Sequence, residues 1–110
     1  MSEDSAANFR ARAERLAGSV VVVAEGELDL VGAPRLLEAL PGPGDEPVVV
    51  DLGSVGFMDS SGLRSLLEAR RRCQDGGRGF AIARPSEPVR RVLELVDLTD
   101  EFEVVEGPAR

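Results

Sequence analysis

Residues 48–67 have the sequence VVVDLGSVGFMDSSGLRSLL, the strongest pattern in the chain. Its β-branched start, which follows a proline, is typical of a buried strand. We predict a strand over residues 47–52, a loop over residues 53–56 and a helix over about residues 61–74, whose leucines recur at helical spacing. The motif Asp59-Ser60-Ser61-Gly62 opens this helix. The motif should therefore lie at the carboxyl edge of a parallel sheet, where α/β folds place ligands.

Before this segment, the sequence predicts a β-hairpin. Residues 9–16 alternate in polarity, with Phe9, Ala11 and Ala13 on one face, as in a strand with one wet side. Gly18-Ser19 is expected to turn the chain. A β-branched run then predicts a buried strand over residues 19–25.

Three helices are predicted, each with one apolar face. Pro34 is expected at the first position of the first helix, because its missing N–H costs nothing there. Pro41-Gly42-Pro43-Gly44 ends that helix, Gly76-Gly77 ends the second, and Ser86 is expected to cap the third. The apolar positions of the first and third helices are Ala33, Leu36, Leu37 and Leu40, then Val89, Val92, Leu93 and Val96.

Strands over residues 79–83 and 101–105 complete the order ββαβαβαβ, and Gly107-Pro108 closes the chain. Strands that alternate with helices imply parallel neighbours joined by right-handed crossovers. We therefore predict an α/β fold, a mixed sheet of four to five strands flanked by helices mainly on one side. The 110 residues give room for one domain. We assign it to residues 9–110, after a flexible N-terminal tail of residues 1–8.

Missing residue types exclude several kinds of chemistry. The chain has no His, and all 13 of its basic residues are Arg. Ser-His-Asp triads, His-ligated metals and lysine bases are therefore ruled out. The single cysteine, Cys73, can form neither an internal disulfide nor a cysteine-based zinc cluster, and its place on an apolar helix face indicates a core residue. We predict no metal, no cofactor and no enzymatic activity.

The net charge of −7 argues against nucleic acid or an anionic membrane as the main partner. No apolar run approaches the ~20 residues that a membrane span requires. The first five residues are acidic and polar, unlike a signal peptide. Because a lone cysteine also suits a reducing compartment, we expect a cytoplasmic protein without membrane insertion.

Residues 61–85 form a basic stripe, with six arginines against two acidic residues. Arg64, Glu68 and Arg72 recur every four residues and should form two ion pairs along the outer face of the helix. Such a stripe is either a solvated helix face or a docking site for an acidic protein. Gly76-Gly77-Arg78-Gly79 follows a helix instead of preceding one, so it predicts a turn and not a phosphate-binding loop.

The Asp-Ser-Ser-Gly motif has two interpretations from its chemistry alone. A helix N-terminus offers unpaired N–H groups and a partial positive charge, so a phosphate on Ser60 or Ser61 would be accommodated there. Gly62 has no side chain and would let another protein approach closely. The same motif is also what an ordinary N-cap looks like. Neither serine is predicted to be a catalytic nucleophile, because no base is available.

The run Val49-Val50-Asp51-Leu52, four residues, then Phe57-Met58-Asp59-Ser60-Ser61-Gly62-Leu63, resembles the signature of STAS domains. These occur in anti-sigma-factor antagonists and in sulfate transporters. Gly26-Glu27-Leu28-Asp29 matches a second hallmark of the family, and the resemblance covers about residues 9–106. Many relatives carry a further C-terminal helix, whereas this chain ends at Arg110. Relatives also often have a glycine where this chain has residues 95–98.

The resemblance implies a phosphorylation switch at Ser60. In such antagonists, the unmodified protein binds an anti-sigma factor, usually a serine kinase, and so frees a sigma factor. The kinase phosphorylates the first serine of the motif, which breaks the complex, and a serine phosphatase resets it. Asp29 matches the family's loop acid beside the acceptor, and it is equally well explained as a turn residue. The expected partner-binding residues are Asp29, Met58, Asp59, Ser61, Gly62 and Arg64, with Ser61 as the capping or supporting hydroxyl.

A second function would keep the same fold. The chain would then be a non-switching STAS scaffold, or a subunit of a stress-sensing or lipid-transport complex. Its surface around the motif would bind a partner constantly, and Ser60 would carry no phosphate.

Overall fold

The computed structural model describes residues 8–106, so residues 1–7 of the expected tail and the predicted Gly107-Pro108 closure lie outside the described residues. The elements are β1 (Phe9–Leu16), β2 (Ser19–Leu28), α1 (Gly32–Glu38), β3 (Val48–Met58), α2 (Ser60–Asp75), β4 (Phe80–Ala83), α3 (Glu87–Leu95) and β5 (Val104–Val105). A 3-10 turn, Thr99–Glu101, precedes β5, which is therefore shorter than the predicted strand. The predicted α/β class and element order are confirmed.

The sheet has five strands in the order β1-β2-β3-β4-β5. β1 is antiparallel to β2, and the other neighbours are parallel. The hairpin turn uses Ala17 and Gly18, at φ of 51° and 86°. The predicted Gly18-Ser19 turn is therefore wrong by one residue. Two-residue turns that match the twist of a hairpin require positive φ at both central residues, and Gly18 adopts it without strain.

The core lies between one face of the sheet and the helices. Because side chains alternate along a strand, every second residue of the central strands contributes to it, including the fully buried Val22, Val50 and Ile82. Each helix adds buried side chains to this same cluster, namely Leu36, Leu66 and Val89 from α1, α2 and α3. The three helices therefore pack against the same face of the sheet.

Two predicted apolar faces are shorter in the structure. On β1, Phe9 and Ala11 contact the core, but Ala13 is exposed. The reason is that α1, whose first residue Gly32 packs on Phe9, lies against the start of β1. Val96 follows the end of α3 and is 46% exposed, because the chain turns away there.

β3 continues through the predicted loop. Residues 53–56 belong to this eleven-residue strand, and its second half pairs with the end of β2, where Gly26 lies opposite Val55 and Leu28 opposite Met58. Two register shifts interrupt the pairing, and such bulges allow a strand to bend without ending. The extended strand carries the chain directly to the Asp-Ser-Ser-Gly motif.

Hydrogen bonds hold the bulged part of β3 in place. The Asp51 carboxylate is buried, and it accepts from the Gly53 N–H at 3.0 Å and from the Arg84 guanidinium at 2.8 Å. The Ser86 hydroxyl donates to the Val55 carbonyl at 2.5 Å. Ser86 precedes α3 as predicted, but its hydroxyl is used here and does not cap the helix.

α2 matches its prediction to within one residue at each end. Gly76 follows its last residue and Gly77 adopts a φ of 81°, so the predicted turn is confirmed. Cys73 is 4% exposed, and burial raises the pKa of its thiol. Its assignment to the core is confirmed.

Candidate functional site

The N-terminus of α2 and the loop after β2 meet at the carboxyl edge of the parallel strands. Asp59 is the N-cap of α2, with an extended backbone, and its Oδ1 accepts from the Gly62 N–H at 3.0 Å. The Asp59 N–H donates to the Leu28 carbonyl at 3.4 Å. The end of β2 is thereby joined to the start of α2, and the motif lies at the carboxyl edge of the parallel strands as predicted.

Ser60 and Ser61 occupy the first two helical positions, not the cap. Ser60 is exposed and Ser61 is half-buried. Within residues 8–106, neither hydroxyl has a hydrogen-bond partner. Of the two roles expected for the Ser61 hydroxyl, capping is wrong, because the Asp59 carboxylate takes that position. An exposed, unbonded hydroxyl at Ser60 is open to modification at no cost in internal hydrogen bonds.

Asp29 organises the start of α1. Its Oδ1 accepts from the N–H groups of Val31 at 3.0 Å and Gly32 at 2.9 Å, and its carbonyl accepts from Ala33. Helix α1 therefore begins at Gly32, and Pro34 is its third residue instead of its first. Proline is tolerated there because the first four N–H groups of a helix have no partner inside it. The turn-forming role predicted for Asp29 is therefore observed, and its role beside the acceptor stays a prediction.

Met58 and Gly62 lie beneath the site. Both are buried, and a Cβ placed on Gly62 would lie 2.0 Å from the Leu28 carbonyl oxygen and 2.8 Å from Met58 Cγ. We expected Gly62 to allow another protein to approach. Instead it allows the first turn of α2 to pack against the end of β2.

Three apolar side chains in the segments next to the motif are exposed. Leu30 is 72% exposed, and Val31 and Phe57 are each 47% exposed. They belong to the two chain segments that flank the motif, the β2–α1 loop and the end of β3. They were not among the predicted site residues, although an apolar pair directly after the turn residue Asp29 was a visible signal. Exposed apolar clusters of this kind mark protein interaction sites.

A groove of about 570 Å³ runs between α1 and α2, which we call the α1–α2 groove. It is lined by Leu30, Ala33, Pro34, Leu37, Ser61, Arg64, Ser65, Leu67, Glu68 and Arg71. Leu30, one of the three exposed apolar side chains, therefore lies on this groove. The partner-binding residues predicted from the sequence are thus divided, because Ser61 and Arg64 line the groove whereas Met58 and Gly62 are buried.

Most of the predicted basic stripe is neutralised within the molecule. Arg71 and Arg72 both bond to Glu68 and lower the pKa of that carboxyl group. Arg84 pairs with Asp51, and Arg70 bonds to Glu101. Of the two pairs predicted along the helix face, the one between Glu68 and Arg72 is confirmed. The pair between Arg64 and Glu68 is not formed. Most of the stripe is therefore a solvated helix face whose arginines pair with acidic residues of the same chain.

Residues 9–106 match a protein-family model described as "Mlab, STAS domain". The chain belongs to the STAS domain family. The family suggested by two short motifs is confirmed over the whole of the range predicted for it. No helix within residues 8–106 is long and apolar enough to cross a membrane.

The fold of this STAS domain is similar to the solved structures of anti-sigma factor antagonists. One from Mycobacterium paratuberculosis is 28% identical, with a TM-score of 0.77 over 96% of this chain and 90% of that chain. SpoIIAA in its unphosphorylated form is 21% identical, with a TM-score of 0.65 over 86% of this chain and 87% of that chain. Phosphorylated SpoIIAA from Bacillus is 20% identical, with a TM-score of 0.60 over 86% of this chain and 90% of that chain. The two SpoIIAA structures share the fold, and the mycobacterial protein is also similar in sequence.

Substitutions at the helix start should separate the cap from the two serines. Asp59→Ala should lower the free energy of unfolding by about 1 kcal/mol, because it removes the carboxylate that accepts from Gly62. Ser61→Ala should change it by less than about 0.5 kcal/mol, since the Ser61 hydroxyl bonds to no described residue. Urea unfolding followed by circular dichroism measures both. Equal losses in the two variants would contradict this assignment of the cap.

Proposed function

We propose that this STAS domain is an anti-sigma-factor antagonist switched by phosphorylation of Ser60. In its unmodified form it binds an anti-sigma factor that is also a serine kinase, and so frees a sigma factor. Phosphorylation of Ser60 ends the binding, and a serine phosphatase restores it. The protein acts in the cytoplasm as a binding protein, not as an enzyme. The observation that carries the proposal is an exposed Ser60 at the first position of α2, in a motif whose neighbouring segments carry exposed apolar side chains.

The surface around Ser60 has the composition of a protein interface. Leu30, Val31 and Phe57 supply apolar area that other described residues leave uncovered, and the α1–α2 groove continues it. Buried apolar area at the centre of an interface provides most of its binding free energy. The likeness to the Mycobacterium paratuberculosis antagonist, at 28% identity over 96% of this chain, supports the choice of an anti-sigma factor as the partner.

Phosphorylation would act locally on this surface. A phosphoserine adds roughly −1.5 to −2 charges at neutral pH, and removing such a charge from water against the apolar side chains of a partner is unfavourable. Because the Ser60 hydroxyl bonds to no described residue, its modification breaks no internal contact. The fold would therefore be kept while the partner is lost.

The direct test is phosphorylation by the anti-sigma-factor kinases of the same organism. Incubation of the chain with each kinase and ATP should add a single phosphate, and peptide mass spectrometry should map it to Ser60. Ser60→Ala should bind the same kinase without being modified. A phosphate on Ser61, or none with any kinase that binds, would contradict the proposed switch.

The description of the family model, which names Mlab, favours a second candidate. The domain would then be a constant subunit of a larger assembly, such as a lipid-transport complex, and Ser60 would carry no phosphate in the cell. Purification of the tagged chain from its own cells separates the two candidates. A stoichiometric assembly whose Ser60 is unmodified under all growth conditions would favour the scaffold.

A further inference from the structure

Arg64 is an unpaired cation one helical turn beyond Ser60. Its side chain is exposed and lines the α1–α2 groove. Within residues 8–106 it forms no ion pair and no side-chain hydrogen bond. Glu68, four residues further along α2, is the natural partner for it, but Arg71 and Arg72 already hold that carboxylate at 2.5 and 2.9 Å. The pairing of Glu68 with these two arginines leaves Arg64 available.

The spacing between Ser60 and Arg64 suits an ion pair. Residues i and i+4 of a helix are neighbours, about 5–6 Å apart between Cβ atoms, and the favourable order places the acidic group before the basic one. Arginine also matches phosphate geometry, since its guanidinium donates two parallel hydrogen bonds. The other charged groups at this end of α2, Asp29 and Asp59, are carboxylates and would repel a phosphate. Arg64 is the cation of α2 that lies nearest to Ser60 in the sequence, and it is therefore the candidate partner for the phosphate.

We propose that a phosphate on Ser60 is held by the Arg64 guanidinium. When it binds the phosphate, this guanidinium leaves the α1–α2 groove. This rests on the proposed function, since it concerns the phosphorylated state of the same site. In the unmodified protein, Arg64 is free to meet an acidic side chain of the partner at the groove. In the phosphorylated protein, the same cation is bound to the phosphate. The modification then acts twice, because it adds negative charge beside the apolar surface and withdraws a positive charge from the groove.

The test installs phosphoserine at position 60 during translation, so that no kinase is needed. The second pKa of the phosphate, ordinarily about 6, is followed by phosphorus NMR as a function of pH. An adjacent cation favours the dianion, so the pKa should be lower with Arg64 present than in R64Q. We expect a difference of about 0.5 unit, a threefold change in the acid dissociation constant. The N–H groups of α2 and the two carboxylates are common to both proteins and cancel from this difference.

Matched variants make the result specific. R35Q removes another arginine that forms no ion pair within residues 8–106, but one on α1, and its phosphate should titrate as in the parent protein. R64K keeps the charge and should restore part of the shift. Identical titration curves for the parent and R64Q would overturn the proposal, provided that circular dichroism shows both to be folded. That result would leave kinase-dependent switching at Ser60 intact, and a failure of every kinase to modify Ser60 would leave the titration unaffected.

Discussion

Gly62→Ala should lower the free energy of unfolding by about 2–3 kcal/mol, the upper range for overpacking a tight site. The added Cβ would lie 2.0 Å from the Leu28 carbonyl oxygen and 2.8 Å from Met58 Cγ. The carbonyl belongs to the backbone of β2 and cannot move aside as a flexible side chain could. Alanine also favours a helix over glycine by about 1 kcal/mol, so the clash must exceed that gain for the predicted loss to appear.

Gly56→Ala is the matched control for this substitution. Gly56 lies in the bulged part of β3, in the same stretch of sequence, but a Cβ placed on it meets no atom within 4 Å. Its replacement should change stability by less than about 0.5 kcal/mol. Urea unfolding of the two variants compares them directly. If both had the same unfolding midpoint as the parent protein, close packing between β2 and α2 would not be what Gly62 provides.

The elements that the sequence predicted well are those with a local cause. The valine runs of β2 and β3 and the periodic leucines of α2 need only their own spacing to indicate a buried strand or a one-sided helix. Pairing between neighbours then follows from the alternation of strands and helices. The STAS signature likewise depends on local residues, so the family could be proposed before any contact was known.

The second half of β3 shows what local sequence cannot predict. Gly53 and Gly56 are strand breakers by propensity, yet the strand continues through them to Met58. Distant residues are responsible, since β2 pairs along it, Arg84 bonds to Asp51 and Ser86 bonds to the Val55 carbonyl. These contacts link residues about 30 positions apart and are invisible in a local pattern.

The position of the helix cap was ambiguous for a related reason. Asp59, Ser60 and Ser61 are all good capping residues, and each would start the helix at a different place. The choice is made by Gly62, because only one helical frame brings the residue without a side chain against the Leu28 carbonyl. With that frame fixed, Asp59 caps the helix and Ser60 faces solvent. The exposed apolar side chains next to the motif were not predicted because exposure is a property of the fold.

Ser60→Asp should weaken binding of the kinase partner by about 100-fold or more while the domain stays folded. Ser60 is exposed in the free chain, so the carboxylate is fully hydrated there and costs nothing in stability. In the complex it would face apolar surface, and removing a charge from water costs several kcal/mol even beside a cation, where each 1.4 kcal/mol is tenfold in affinity. The affinity measured by calorimetry should therefore fall, whereas the unfolding midpoint in urea should stay nearly unchanged.

Ser60→Asn separates charge from bulk in this experiment. Asparagine has nearly the same size as aspartate but no charge, so it should retain most of the affinity that Ser60→Asp loses. Equal losses from Asn and Asp would indicate that bulk, not charge, blocks the partner.

A local mechanism also predicts where amide signals move when Ser60 is phosphorylated. The shifts should be confined to Asp29, residues 58–64 and their immediate neighbours, since α3 and β4 contact the core away from Ser60. Shifts that extend through the sheet and α3 would instead indicate a conformational change of the whole domain.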